Sequence, residues 1–305
     1  MGLITLVFEA SIAIIVTMPA DIEFSFHQLT RVAQRHIRVF QIQQFLDRFA
    51  MGLTVAVVAL ALIDRDMDLF QISLLFSVYS VTTVVMELPF GGLADNIGRK
   101  PVFLSAVVAS LISLVIFLSS NDFYVLTLSF VFIGFGRALR SGTLDAGFVE
   151  NFKVMAPNVD IQPALAKAQW ANAMGLAFGA ICGGLLPDAF GDVAVYRGFS
   201  VYDISYAASL IMMIVLFFFT LVAITEEPRP LNPKALRQGF TSVLVVIKEA
   251  GLLALKHPTL SMLLAALAFF LMATNPVEVI WPTHAKPLLD EGYANTVIGI
   301  VTAAY

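Results

Sequence analysis

The chain has 305 residues, 59% of them hydrophobic and only 13% charged, and its mean hydropathy is +0.86. Soluble domains are about 45–50% apolar and about 25% charged, so a water-soluble globule is excluded for want of polar residues to cover it. An all-α polytopic membrane protein, whose solvent is lipid, needs no such cover. A net charge of −4 argues against a nucleic-acid partner, and a lone cysteine, Cys182, excludes an intrachain disulfide framework or a thiolate metal site.

Residues 1–38 read as an N-terminal cytoplasmic or interfacial segment. Their opening stretch, LITLVFEASIAIIVTM, is interrupted by Glu9, is short for a span, and fails as a secretory signal because no Lys or Arg precedes it. It is either an extra interfacial helix or the product of a start codon placed too early. Beyond it come apolar runs of about 20 residues, the length that crosses about 30 Å of hydrocarbon. They predict helices over 41–63, 70–91, 101–119, 123–148, 165–189, 201–224 and 259–282, with another opening near Asn295. The expected organisation is a six-helix bundle over 39–225, a linker over 226–258, and the start of a second bundle over 259–305. The linker carries EEPRPLNPK and an amphipathic stretch, Leu236 to Lys256.

Lys and Arg set the orientation. With the N-terminal segment inside, Arg31, Arg35, Arg38, Arg99, Lys100, Lys153, Lys167, Arg229, Lys234, Arg237, Lys248 and Lys256 gather on one side, leaving Arg65, Arg197 and Lys286 on the other. A multi-pass cell-membrane protein with the N-terminal segment and the 225–258 linker cytoplasmic is expected.

An ionised group at the bilayer centre costs about 2.5–3.5 kcal/mol on the mildest scale, so charges inside spans need water or a partner. Gln43, Gln44, Asp47 and Arg48 make the inner third of the first span polar; Asp47 is either a coupling acid or the partner of Arg48 or another base. In the second span Tyr79, Thr83 and Glu87 recur at i, i+4 and i+8 and form one stripe; Glu87 is either a proton carrier or an acid reaching the interface. In the fourth, Arg137, Ser141 and Asp145 repeat that spacing, with Arg140 beside them. This stripe predicts a face toward a central cavity, serving proton coupling or an Arg–Asp pair between helices. In the seventh, Asn275-Pro276 permits a bend, and Trp281 falls where an interfacial aromatic belt is expected.

The turn GGLADNIGRKP, Gly91 to Pro101, separates the second and third spans. A phosphate loop would need Lys directly after its second Gly, then Ser or Thr. Here Arg99, Lys100 and Pro101 follow Gly98, and a tight turn between membrane helices fits better: Gly98 permits reversal and Pro101 suits the first helical turn. Gly91, Leu93, Ala94, Asp95, Gly98, Arg99 and Lys100 together resemble the signature loop of the major facilitator superfamily; Asn96 stands where that family more often has Arg. Glu87-Leu88-Pro89 is similar to drug-efflux members.

GLAFGAICGG in the fifth span resembles the glycine motif of the family's drug–proton antiporters. Gly175, Gly179, Gly183 and Gly184 match, and Ala180 replaces the proline. Such spacing makes a groove that another helix backbone can enter. The resemblance implies that Arg99 pairs with an acid at the inner end of the fourth span, here Glu150, and that Asp95 meets the second bundle. These contacts would gate the cytoplasmic side.

The resemblance implies alternating access with no cofactor, driven by a proton gradient: export of amphipathic compounds or drugs. Rival readings are an uptake symporter or facilitator for a polar or anionic solute, using Arg137 and Arg140, and an inactive membrane fragment. The family's usual twelve or more spans imply that the second bundle continues in a longer chain or comes from another chain. The expected partners are a small-molecule substrate and the lipid bilayer. No enzyme motif is present; His27, His36, His257 and His284 lie scattered over flanks and loops.

Overall fold

The computed structural model describes residues 30–90, 93–141, 143–196, 198–224, 226, 248–249, 251–253, 256–289 and 292–304. The N-terminal apolar stretch, Gly91 and most of the amphipathic linker therefore lie outside the described residues, as does the side chain of Asp95. Among the described residues there is no strand, in keeping with the all-α reading.

Helix α1 runs Arg31–Val55, opened by the Thr30 hydroxyl, which accepts from the Ala33 N–H at 3.3 Å. It starts ten residues before the apolar run that predicted it, and it stops short. A turn at Ala56 and Val57 breaks it before α2, Val58–Ile63. Helix α3, Leu69–Phe90, follows a reciprocal cap: Asp68 Oδ1 accepts from the Gln71 N–H at 2.7 Å, and Gln71 Oε1 accepts from the Asp68 N–H at 3.0 Å. The short α4, Leu93–Ile97, carries the signature loop into α5, Arg99–Ser119. Asp122 caps α6, Phe123–Arg140, by accepting from Tyr124 and Val125 N–H groups.

The predicted fourth span is two helices. Ser141 has φ −55° and ψ 116°, which ends α6, and α7 begins at Thr143 and runs to Met155. Then come α8, Gln162–Tyr196, α9, Asp203–Ala223, α10, Pro258–Ala285, and α11, Ala294–Ala304. α10 continues through Asn275 and Pro276 without interruption.

Five helical stretches are long and apolar enough to cross a membrane: Leu69–Glu87, Arg99–Ser119, Phe123–Met155, Gln162–Tyr196 and Asp203–Ala223. α1 is not among them, because Gln43, Gln44 and Asp47 on it are polar and buried inside the bundle. α1 packs along α8 and α9, α6 packs against α3 and α5, and α11 lies on α8. Phe103, Leu126, Phe148 and Leu216 are almost wholly enclosed, and Phe117 stacks on Tyr206 with centroids 3.8 Å apart. Outside, α3 exposes Phe70, Val81, Val84 and Val85. An apolar exterior over a core holding polar groups suits lipid as the surrounding solvent.

Candidate functional site

Helix direction gives the bundle two ends: a loop end at α4, and a far end where α5 gives way to α6. At the loop end Gly98 sits at φ +100°, a conformation that side chains disfavour, and releases the chain straight into α5. Arg99 Nη2 donates to Glu150 Oε1 at 2.6 Å, and its Nη1 donates to the Thr143 carbonyl at 3.4 Å. Gly147 makes room for this reach: a Cβ there would lie 2.7 Å from Arg99 Cδ.

Sequence reasoning missed the third member. Glu226 accepts from the Arg99 N–H at 2.8 Å and the Lys100 N–H at 2.7 Å. A carboxylate at the first amides of α5 satisfies donors that have no partner within the helix and complements its dipole. Lys100 Nζ in turn donates to the Leu221 carbonyl near the end of α9, at 2.7 Å. Glu226 lies just past the sixth apolar run, 127 positions from Arg99, and its partners are backbone amides, which leave no residue-type signal in the sequence.

Deeper in, a polar cavity of about 370 Å³ lies between α1, α3, α6, α7 and α8. It brings together the charged candidates Asp47, Arg48, Glu87, Arg137, Arg140 and Asp145. Asp47 is 3% exposed and faces Arg140 Nε at 3.3 Å. Asp145 accepts from Gln44 Nε2 at 2.7 Å, and Asn172 Nδ2 reaches Gln44 Oε1 at 3.4 Å. Glu87 accepts from Ser141 Oγ at 2.6 Å. The expected single-helix stripe of Arg137, Ser141 and Asp145 is thus corrected: the chain leaves the helix at Ser141, and Asp145 bonds to α1 rather than to Arg137. Thr83 spends its hydroxyl on the Tyr79 carbonyl at 2.8 Å.

A second, mostly apolar chamber of about 210 Å³ adjoins the first, and Arg137 and Arg140 line both. Its walls include Met51, Phe76, Phe117, Phe130 and Met213, with Tyr79 and the serines of α5, α6 and α9 between them. A larger hollow of about 560 Å³ opens at the loop end beneath Arg99 and Glu150. The two inner chambers, not this cleft, hold the membrane-embedded charges.

The glycine motif builds the helix contacts around the cavity. A Cβ at Gly175, Gly179 or Gly183 would run into the carbonyls of Phe45, Phe49 or Leu53 on α1, and one at Gly184 into that of Asn295 on α11. α8 therefore touches α1 and α11 backbone to backbone.

The far end carries polar contacts that the sequence did not disclose. Arg65 sits in the turn after α2, on the side expected, but its side chain is buried: it pairs with Asp203, and its guanidinium sits 4.3 Å from the Phe117 ring centroid. Asp188 accepts from Asn295 Nδ2, Thr296 N and Thr296 Oγ1, each at 2.7 Å, closing α8 onto the start of α11. Lys286 Nζ donates to the Tyr202 hydroxyl at 2.5 Å, and that hydroxyl donates to Asn295 Oδ1 at 3.2 Å.

A helical membrane bundle, with a charged turn at one end and a polar cavity between its helices, is the architecture the signature loop implied. The chain belongs to the Major Facilitator Superfamily, whose model matches residues 42–305; this is a family of membrane transporters, not of enzymes. A curated relative, the class D tetracycline resistance protein of Salmonella ordonez, is 25% identical over 182 residues, 59% of this chain and 42% of that protein. The chain thus matches less than half the length of this relative. Among solved structures, the nucleoside transporter NupG superposes with a TM-score of 0.53 at 13% identity, over 88% of this chain and 78% of the other. That likeness concerns the fold alone.

Proposed function

We propose that the protein is a secondary transporter that exports amphipathic small molecules by alternating access, with a proton gradient as the driving force. The observation that supports this most directly is the pair of adjoining chambers: one polar, with Asp47, Glu87 and Asp145 on its walls, and one lined by aromatic and thioether side chains. An amphipathic molecule has a place for each of its parts, and a proton has acids to occupy. The likeness to a tetracycline resistance protein supports an amphipathic small molecule as the cargo.

In this reading residues 39–225 form the first bundle, 226–258 a cytoplasmic linker, and 259–305 the start of a second bundle. The N-terminal segment is cytoplasmic, and the bundle sits in the cell membrane. Arg99, Glu150 and Glu226 hold the cytoplasmic end together, while Asp188 and Tyr202 hold the outer end against α10 and α11. Opening to one side breaks one set and keeps the other, while rigid halves rock about the midplane cavity. Protonating an acid beside Arg140 or Arg48 weakens its hold on the base and loosens the walls.

Everted vesicles containing the protein test this. Energised with an inward-acid gradient, they should accumulate amphipathic dyes, and a protonophore or Glu87→Gln with Asp145→Asn should abolish the uptake. Accumulation indifferent to the protonophore would overturn proton coupling, and the absence of any accumulation would overturn export.

A further inference from the structure

Three guanidiniums line the polar cavity, and they are not equally committed. Arg140 faces Asp47 at 3.3 Å and donates to Ser110 Oγ at 3.2 Å. The side chains of Arg48 and Arg137, among the described residues, have neither an ion pair nor a hydrogen bond, and the buried Nε of Arg48 has no acceptor. They are close enough for their charges to oppose each other. Of the acids around them, Asp47 faces Arg140, while Asp145 accepts from the neutral Gln44 and Glu87 from the neutral Ser141. Asp47 and Asp145 attract Arg48 from nearby without bonding to it. Gln43, 1% exposed, also lines this cavity, and its Oε1 has no donor.

Arg137 is exposed and Arg48 half-buried, so the open cavity presents two guanidiniums that hold no ion pair of their own and that an anionic group can join. Arg137 also borders the apolar chamber, so a group bound to it has an oily compartment directly beside it. Guanidinium donors match the two oxygens of a carboxylate, sulfonate or phosphate monoester better than any other side chain does.

We propose that the cavity takes amphipathic monoanions, with the anionic head between Arg137 and Arg48 and the apolar body among Phe76, Phe117 and Phe130. This deepens the transport reading and rests on it, since it names the substrate class of the same chambers. An anion leaving a cell with a negative interior moves with the membrane potential, which agrees with export.

Binding of three naphthalene probes to the full protein in detergent, read by probe fluorescence, tests the proposal: 2-naphthoate, 2-naphthamide and 2-naphthylmethylammonium. The carboxylate should bind tightest, and Arg137→Gln and Arg48→Gln should each weaken it about tenfold or more while leaving the amide unchanged. Arg137→Lys, which keeps the charge, should retain part of the affinity and guards against a folding artefact, as does a matched circular dichroism spectrum. If the amide or the ammonium binds as tightly as the carboxylate, or if both Gln variants bind the carboxylate normally, the anion assignment is overturned and transport of other amphiphiles stands. If no probe binds to well-folded protein, both the anion assignment and the assignment of these chambers as the substrate site fail.

Discussion

Arg99 and Glu150, 51 residues apart, meet at 2.6 Å, and the same loop is held from a third direction by Glu226 through two backbone amides. One arginine thus ties the start of α5 to α7 with its side chain and to the end of α9 with its backbone. A contact set of this kind is cooperative: losing any member loosens a junction shared by three helices.

Arg99→Ala and Glu150→Gln should therefore shift the balance between inward- and outward-open states by about 5- to 150-fold and cripple turnover without preventing membrane insertion. Asp95→Asn belongs to the same test, since the family resemblance puts that acid in the gate. Transport rate per inserted molecule is the measurement, and normal rates in all three variants would remove the gating role.

Glu226→Ala should weaken the N-terminus of α5 by about 0.5–2 kcal/mol, the usual cost of losing a side-chain cap. Limited proteolysis near Gly98 is the readout, with faster nicking expected. Gln in the same place should lie between the two, because it keeps an acceptor but not the charge.

How much of this was legible in advance differs by kind of contact. Long apolar runs and the turn from Gly91 to Pro101 disclosed the helices and the family, because hydropathy and local turn chemistry are written in adjacent residues. The match of Arg99 with Glu150 was reachable through family likeness. Glu226 was not, since its partners are backbone amides, which carry no residue-type signature. Span four read as one continuous helix because Ser141-Gly142 is short and its flanks are apolar; the break appears only in the backbone angles of Ser141. The burial of Arg65 was not legible because it depends on Asp203, 138 positions away.

Gly179→Val should destabilise the bundle by about 1–3 kcal/mol, the range for overpacking. Its side chain would collide with the Phe49 carbonyl and with Gly52 Cα, 2.9 Å from the ideal Cβ, and backbone has nowhere to yield. A thermal-shift assay in detergent should show a lower melting temperature. Gly198→Ala is the control for space: nothing lies within 4 Å of its Cβ, although its φ of +81° adds a small backbone cost.

Arg65→Met alone should cost about 3–5 kcal/mol, because it strands the Asp203 carboxylate in a buried site. Replacing both partners, Arg65→Met with Asp203→Leu, should recover most of that loss, since no uncompensated charge remains. The comparison of the single with the double variant in denaturant-unfolding experiments measures the pairing; equal losses in both would show that the ion pair contributes little.

The central claim, that one central cavity opens alternately to the two sides of the membrane, is tested most directly by thiol accessibility. Asn172 lines the polar cavity, so Asn172→Cys in a Cys182→Ala background offers a single reporter there. The account predicts labelling by a membrane-impermeant thiol reagent from either side, with the favoured side switching when the proton gradient is reversed. Labelling from one side only, whatever the gradient, or from neither side would contradict it.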